Sequence, residues 1–128
     1  MAGNYLPDTN ALISYLRNDL NAIEKFDQIN ELNLSVIVLG ELFFGAYNSA
    51  NAEKNINKIV ELSSYGNIIP IDNVVSHVYG DIKNELRKKG RPIPENDIWI
   101  AATAITYNLT IISNDQHFAQ VSKLTIES

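Results

Sequence analysis

Residues 96–115 read NDIWIAATAITYNLTIISND, and the uncharged stretch inside this segment indicates the fold. Its first part is rich in alanine and isoleucine and predicts a buried helix, which Asn96 would cap and which would end near Asn108. The apolar run at residues 110–113 predicts a short buried strand. Thr, Ser and Asn side chains interrupt the stretch, so we do not interpret it as a membrane span. A helix followed by a continuously apolar strand is typical of a parallel sheet covered on both faces.

The same alternation of helix and strand continues outward from this segment to both ends of the chain. Further short strands are predicted at residues 4–6, 34–38, 68–71 and 123–126. Helices are predicted at residues 11–16, with Asp8 or Thr9 as the cap, and at 19–30, 38–50, 51–64 and 72–89, with a single turn at 115–119. Gly90 is expected to end the longest helix, because glycine adopts left-handed geometry easily. We therefore predict an α/β fold, an α/β/α sandwich with a short, mostly parallel sheet, in one domain spanning residues 1–128.

The composition excludes several classes of protein. A length of 128 residues suits one domain, and the absence of cysteine excludes disulfides, zinc–thiolate sites and a cysteine nucleophile. The amino terminus has no basic segment followed by an apolar one, so we expect no signal peptide, no membrane span and a cytoplasmic protein. Fifteen acidic residues outnumber ten basic ones, and this net charge of −5 argues at first sight against a nucleic-acid partner.

Four acidic residues follow the predicted strands or lie in the helices next to them. They are Asp8 after the first strand, Glu41 in the helix after the second, Asp97 at the start of the helix described above, and Asp115 after the strand that follows it. Ligands of parallel α/β sheets bind beyond the carboxyl ends of the strands, so these positions predict a site. Each acid also has a local interpretation, since the three aspartates could cap helices and the glutamate could be solvated.

Carboxylates that gather in a partly buried pocket repel one another and become protonated unless a cation neutralises them. A set of oxygen ligands suits Mg²⁺, and metal-assisted phosphodiester hydrolysis is the natural chemistry of such a set. His77 and His117 are interpreted as surface or structural residues that do not join the acids.

Four segments that contain these acids are spread over nearly the whole chain. They are YLPDTN at residues 5–10, LGELFFG at 39–45, PIPENDIWIAA at 92–102 and SNDQHF at 113–118. In this order they resemble the motifs of PIN-domain ribonucleases, and most closely those of the VapC toxins of bacterial toxin–antitoxin pairs. The resemblance implies a PIN fold, an endoribonuclease that uses Mg²⁺ or Mn²⁺ to cleave RNA, homodimerisation, and inhibition by a cognate VapB-type antitoxin.

The resemblance also implies roles for individual residues. The family's catalytic and metal-binding acids fall on Asp8, Glu41, Asp97 and Asp115. The family's small hydroxyl position near the metal falls on Ser113, and its supporting polar position falls on Asn10.

Pro7 departs from the family pattern, which has an aliphatic residue before the first aspartate. Proline lacks the N–H that a central strand donates to its neighbour. Either the strand ends at Leu6, or Pro7 forms an irregularity that shifts Asp8. On either interpretation, replacing Pro7 with leucine is predicted to raise the melting temperature or the nuclease activity.

Half of the basic residues lie close together near the end of the longest predicted helix. They are Lys83, Arg87, Lys88, Lys89 and Arg91. One interpretation is a solvated helix terminus whose charges interact favourably with the helix dipole. The other is an RNA-binding surface that contacts phosphates, formed mainly by Lys83, Arg87, Lys88 and Arg91.

Aromatic residues near two of the acids have competing interpretations. Phe43, Phe44 and Tyr47 provide more apolar surface than one inward helix face requires, which indicates core packing together with a subunit or antitoxin interface. Trp99 follows Asp97 by two residues and is interpreted as part of the core or of a pocket wall rather than as a surface on which RNA bases stack.

Other aspartate-based classes fit the sequence less well. Phosphatases of the haloacid dehalogenase type need Asp-x-Asp, but Asn10 occupies the third position, and a receiver domain would need an acidic pair and a suitably placed lysine. Two alternatives remain within the PIN class, a weakly active module that binds a partner and a nuclease that processes RNA or acts on DNA. Without the four acids, eleven acidic residues face ten basic ones, so the net charge does not exclude RNA.

Overall fold

Five short strands and six helices alternate along residues 4–128, which are the residues that this computed structural model describes. The strands are β1 (Tyr5–Pro7), β2 (Asn33–Ser35), β3 (Asn67–Ile69), β4 (Thr110–Ile112) and β5 (Ile126–Glu127). The helices are α1 (Thr9–Leu16), α2 (Leu20–Asp27), α3 (Val36–Tyr47), α4 (Ala52–Tyr65), α5 (Asn73–Lys89) and α6 (Glu95–Thr106), with a 3₁₀ turn at Gln116–Gln120. Residues 1–3, on which the expectation about a signal peptide partly rests, lie outside the described residues.

The three strand pairs within residues 4–128 are parallel, in agreement with the predicted, mostly parallel sheet. β1, β4 and β5 form one sheet in the order β1-β4-β5, and β2 pairs with β3. A single bridge between Tyr5 and Leu32 joins the two parts, and the Asn33 side chain donates a hydrogen bond of 2.9 Å to the Tyr5 carbonyl. The five strands therefore form an almost continuous sheet, with the carboxyl ends of β1 and β4 side by side.

Both faces of this sheet are covered. Ile111 and Ile112 are consecutive in β4 and point to opposite faces, yet both are buried. On α6, Ala101, Ala102 and Ala104 are fully buried, and their small side chains allow the helix to pack closely. These observations confirm the α/β sandwich. None of the described helices combines the length and the apolar composition needed to cross a bilayer.

Pro7 belongs to β1 and does not disturb it, so both interpretations of this residue were wrong. The Asn4 carbonyl accepts the Thr110 N–H at 2.8 Å, and the Asp8 N–H donates to the Ile112 carbonyl at 3.0 Å. Because successive residues of a strand alternate, the backbone nitrogen of Pro7 faces the opposite edge, away from β4. No hydrogen bond to β4 is lost, and the ladder continues through to Asp8.

Several helix boundaries differ from the predicted ones because capping hydrogen bonds decide them. α3 begins at Val36 rather than near residue 38, since the Ser35 side chain accepts the Ile37 N–H at 3.1 Å. α6 begins at Glu95, with Pro94 rather than Asn96 at the cap position, and the Pro94 carbonyl accepts the first helical N–H groups. β5 is confined to Ile126–Glu127, although a strand was predicted at 123–126. Gly90 ends α5 in the left-handed conformation, with φ 65°, as predicted.

Candidate active site

Asp8 lies directly after β1 and is held in place from two directions. Its Oδ1 accepts the Ala11 N–H at 2.8 Å, so it caps α1, and its Oδ2 accepts the Ser113 hydroxyl at 2.5 Å. Only 5% of the residue is exposed. The cap interpretation of Asp8 is therefore confirmed, and the cap leaves the second carboxylate oxygen, Oδ2, for the contact with Ser113.

Ser113 connects Asp8 to Asp115. Its hydroxyl oxygen donates to Asp8 and accepts the Asp115 backbone N–H at 2.9 Å. Asp115 in turn caps the 3₁₀ turn, where its side chain accepts the His117 N–H at 2.9 Å. The carboxyl ends of β1 and β4 are thus joined by a continuous series of hydrogen bonds.

Asp97 lies in the first turn of α6 and faces Asp115 across His117. The His117 Nδ1 is 3.0 Å from Oδ2 of Asp97 and 3.1 Å from Oδ1 of Asp115. One oxygen or nitrogen atom from each of the three side chains lies within 4.8 Å of the others. The interpretation of His117 as a residue apart from the acids was therefore wrong. The signal for it was its position two residues after Asp115, inside the turn that Asp115 caps.

Glu41 is half-buried on α3 and is oriented by α1. The Thr9 hydroxyl donates to Oε1 of Glu41 at 2.6 Å. Thr9 was noted in the sequence only as a possible cap, and its contact with Glu41 was missed. The only local signal was that Thr9 follows Asp8 in the chain, so a helix that Asp8 caps carries both side chains toward the same end of the sheet.

The electrostatics of the site connect all four acids. Burial is the main cause that raises the pKa of Asp8, and the charges of Asp115 and Glu41 add to it, while hydrogen bonds from Ser113 and Ala11 oppose it. Burial also raises the pKa of Asp97, and Asp115 and Glu41 again contribute in the same direction, against His117. Crowded carboxylates that resist ionisation suit a divalent cation, which would stabilise their charged forms.

Asn10 lies at the edge of this site rather than within it. The side chain is exposed, and it lines a cavity of about 620 Å³ together with Ser14, Ser113, Asn114 and Asp115. The hydrogen bonds among the described residues connect Asp8 to Ser113 and Glu41 to Thr9, and Asn10 takes part in neither.

The basic residues do not behave as one group. Lys83 is 3.0 Å from a carboxylate oxygen of Glu95, and its ammonium lies over the Tyr79 ring. Lys89 pairs with Glu85 on its own helix. The three exposed side chains that remain at this helix end are those of Arg87, Lys88 and Arg91.

The aromatic residues divide between core and surface. Trp99 is half-buried and packs against the core, with the Tyr79 ring stacked on it at a centroid distance of 3.8 Å, in agreement with its interpretation as core or pocket wall. Phe43 also packs against the core. Phe44 and Tyr47 are instead 72% and 68% exposed on α3, so core packing does not account for them.

A parallel α/β sheet with acidic side chains at the carboxyl ends of its strands places this chain in the class of α/β proteins whose site lies at that edge of the sheet. Within this class, the PIN domain family matches residues 5–124 of the chain. Ribonuclease VapC1 of Haemophilus influenzae (strain R2866) is 36% identical over 126 residues, covering 94% of this chain and 93% of its own. The chain therefore belongs to the VapC family of PIN-domain proteins.

Further relatives agree with this assignment. The tRNA(fMet)-specific endonuclease VapC of Shigella flexneri is 29% identical, and the alignment covers 96% of both chains. The structure of VapBC-1 from nontypeable Haemophilus influenzae matches with a TM-score of 0.88 and 33% identity, over all of this chain and 98% of the other. VapBC2 from Rickettsia felis, bound to a DNA fragment from its promoter, matches with a TM-score of 0.89 and 28% identity, over 99% and 98%.

Proposed function

We propose that this chain is a toxin-type endoribonuclease that hydrolyses RNA phosphodiester bonds and is inhibited by a cognate VapB-type antitoxin. The observation that carries the proposal is the buried Asp8 carboxylate, which Ser113 joins to Asp115 at the carboxyl ends of adjacent parallel strands. A buried acid with a raised pKa beside two further acids destabilises the folded state, and such an arrangement is typical of a functional site.

The relatives support the choice of substrate and partner. VapC1 of Haemophilus influenzae is a ribonuclease by name, and the Shigella flexneri relative is a tRNA(fMet)-specific endonuclease. The similar solved structures from Haemophilus influenzae and Rickettsia felis are VapBC complexes. By analogy, RNA is the substrate of this chain, and a small VapB-type protein is its inhibitor.

The donor set fits a hard divalent cation. Asp8, Glu41 and Asp97 would hold one Mg²⁺, which Mn²⁺ can replace, and Asp115 would complete the pocket through a water molecule or a second ion. When bound, the ion supplies Lewis acidity, which polarises a phosphoryl oxygen and lowers the pKa of a water molecule. Supporting this assignment, the charges of Glu41 and Asp115 raise the pKa of both Asp8 and Asp97, so the four carboxylates interact.

The neighbouring residues position these carboxylates. The Ser113 hydroxyl fixes the orientation of Asp8 by donating to its carboxylate. The same hydroxyl accepts the backbone N–H of Asp115 and so fixes the start of the turn that carries Asp115. Thr9 fixes the orientation of Glu41. The carboxylates orient the attacking water and accept its proton, and the exposed Asn10 has a supporting polar role at the edge of the site.

The exposed basic side chains give the RNA backbone a place to bind. Arg87 and Lys88 lie in the last turn of α5, and Arg91 lies in the loop that leads to α6, which carries Asp97 near its amino end. They would contact phosphates on either side of the scissile bond. Lys83 contributes less, because Glu95 already neutralises it.

The exposed aromatic residues on α3 support a homodimer. Phe44 and Tyr47 form an apolar surface that a second copy of the chain would cover. Changing Phe44 to serine is expected to shift the mass measured by light scattering toward the monomer. The same change at Tyr65, which is 62% exposed on α4, is the control.

We also propose that residues 1–128 form one domain and that the protein acts in the cytoplasm.

Cleavage of RNA in the presence of Mg²⁺ or Mn²⁺ tests the proposal. Activity should disappear in EDTA and in the Asp97→Asn variant, while Asp81→Asn, a change at an exposed aspartate of α5, should retain it. Cleavage that persists in EDTA or in Asp97→Asn would overturn the metal mechanism. Expression of a toxin should arrest growth, and co-expression of the antitoxin gene that lies beside the toxin gene should relieve the arrest. Neither a weakly active partner-binding module nor a processing nuclease should show this behaviour.

A further inference from the structure

We propose that His117 is a direct ligand of the divalent ion and that it makes the site prefer Mn²⁺ to Mg²⁺. This inference rests on the proposed function, since it assigns one more ligand to the same site. A site with His117 as a ligand differs measurably from an all-carboxylate site, because a nitrogen ligand changes both the ion preference of the site and the magnetic environment of the bound ion.

His117 and two of the acids are spaced as ligands of one metal ion are. The Nδ1 of His117 lies 3.0 Å from Oδ2 of Asp97 and 3.1 Å from Oδ1 of Asp115. Neighbouring ligands of an octahedral ion with bonds of about 2.1 Å lie about 3.0 Å apart. The Nδ1 therefore lies from each of the two carboxylate oxygens at the distance that separates adjacent ligands of one ion, so in this inference Asp115 is a direct ligand beside His117 and does not act through water.

The backbone that carries the imidazole is fixed in position by two contacts. The His117 N–H donates to Oδ1 of Asp115 at 2.9 Å, in the 3₁₀ turn that Asp115 caps. Phe118, the next residue, is fully buried and anchors the turn in the core. His117 is thus positioned by the fold although its side chain is 48% exposed.

An imidazole nitrogen and a carboxylate oxygen prefer different divalent ions. Mg²⁺ takes carboxylates, carbonyls and water, whereas imidazole suits first-row transition ions. A set of carboxylates with one imidazole nitrogen therefore gains affinity for Mn²⁺ and little for Mg²⁺. His77 provides a matched control, because it is the only other histidine in the sequence and lies exposed on α5.

Binding of Mn²⁺ and Mg²⁺ to the full chain, measured by calorimetry without RNA, tests this inference. His117→Ala is expected to weaken Mn²⁺ binding at least about tenfold and Mg²⁺ binding less than about threefold, whereas His77→Ala should change neither. Pulsed electron paramagnetic resonance of the bound Mn²⁺ should show coupling to a nitrogen nucleus in the wild type and in His77→Ala. That coupling should be absent in His117→Ala.

The outcomes separate this inference from the proposed function. If Asp97→Asn loses both ions while His117→Ala binds them as the wild type does, the acidic site stands and the role of His117 is overturned. Equal losses of Mn²⁺ and Mg²⁺ in His117→Ala, or a wild-type spectrum without nitrogen coupling, also overturn it. If the wild type binds neither ion, the metal-dependent function fails, and the inference fails with it.

Discussion

Ser113 donates its hydroxyl hydrogen to Asp8 across 2.5 Å, although 105 positions separate the two residues in the chain. The parallel register explains the contact, because Pro7 pairs with Ile112 and the next residue on each strand is Asp8 or Ser113. The same hydroxyl accepts the Asp115 N–H. One small side chain therefore orients two of the four acids.

Removing this hydroxyl should damage both stability and activity. In Ser113→Ala, a buried carboxylate oxygen and the Asp115 N–H lose their partner, which should lower the free energy of unfolding by about 1–3 kcal/mol. RNA cleavage should fall at least about tenfold, since catalytic groups tolerate little displacement. Urea denaturation and cleavage assays measure the two effects. Ser113→Thr, which keeps the hydroxyl, should restore part of both, and Ser76→Ala, a change at an exposed serine, should alter neither.

Thr9 should matter for activity more than for stability. Thr9→Val keeps the shape of the side chain but removes the hydrogen bond to Glu41, which is only half-buried and can find water instead. We expect a loss of at most about 1 kcal/mol in the free energy of unfolding and a fall in kcat/KM of about tenfold. Thr9→Ser should recover the activity. Wild-type kcat/KM in Thr9→Val would show that Glu41 needs no such support.

The sequence predicted that acidic residues follow the strands, but it did not predict which side chains contact one another there. Asp8, Glu41, Asp97 and Asp115 could be selected as candidates because strand and helix patterns are local, and each acid follows a predicted strand or lies in the first turns of a predicted helix. The contact between Thr9 and Glu41 joins two helices, and its hydrogen bond depends on their packing rather than on either pattern. His117 was missed for the same reason, because a 3₁₀ turn directs it back toward Asp97 on another element.

The backbone geometry at Pro7 likewise depends on contacts between separate elements, which the sequence pattern does not show. The sequence indicates that proline lacks a donor, but only the register shows that the missing N–H faces away from β4. The structure therefore reverses the expectation for Pro7→Leu. Since Pro7 is fully buried, the larger leucine side chain should overpack the core and lower the free energy of unfolding by about 1–3 kcal/mol. Thermal and urea denaturation would check this, and a raised melting temperature would support the original expectation.

The basic end of α5 should act on RNA binding rather than on chemistry. The double change Arg87→Gln/Lys88→Gln removes two charges without placing acids at the carboxyl end of a helix, where they would oppose the dipole. It should raise KM and reduce the slope of log binding constant against log salt by about 1.4, the value for two lost contacts to single-stranded phosphates. The matched control is Lys54→Gln/Lys58→Gln on the exposed surface of α4. Equal effects of both double changes would indicate general electrostatics rather than a binding surface.

Asp8 should make the stability of the metal-free protein depend on pH in a defined direction. Burial raises its pKa above 3.8, so between 3.8 and the raised value the native state holds a proton that the unfolded state has lost. The free energy of unfolding should therefore fall as pH rises through this window. Asp8→Asn keeps an N-cap residue but has no charge to bury. In EDTA, the free energy of unfolding of this variant should therefore equal that of the wild type at pH values below the window and exceed it at pH values above the window. Urea denaturation in EDTA at several pH values measures this difference. Saturating Mn²⁺ should stabilise the wild type more than the variant. A wild type that gains stability relative to Asp8→Asn as pH rises in EDTA would contradict the assignment of Asp8 as a strained acid.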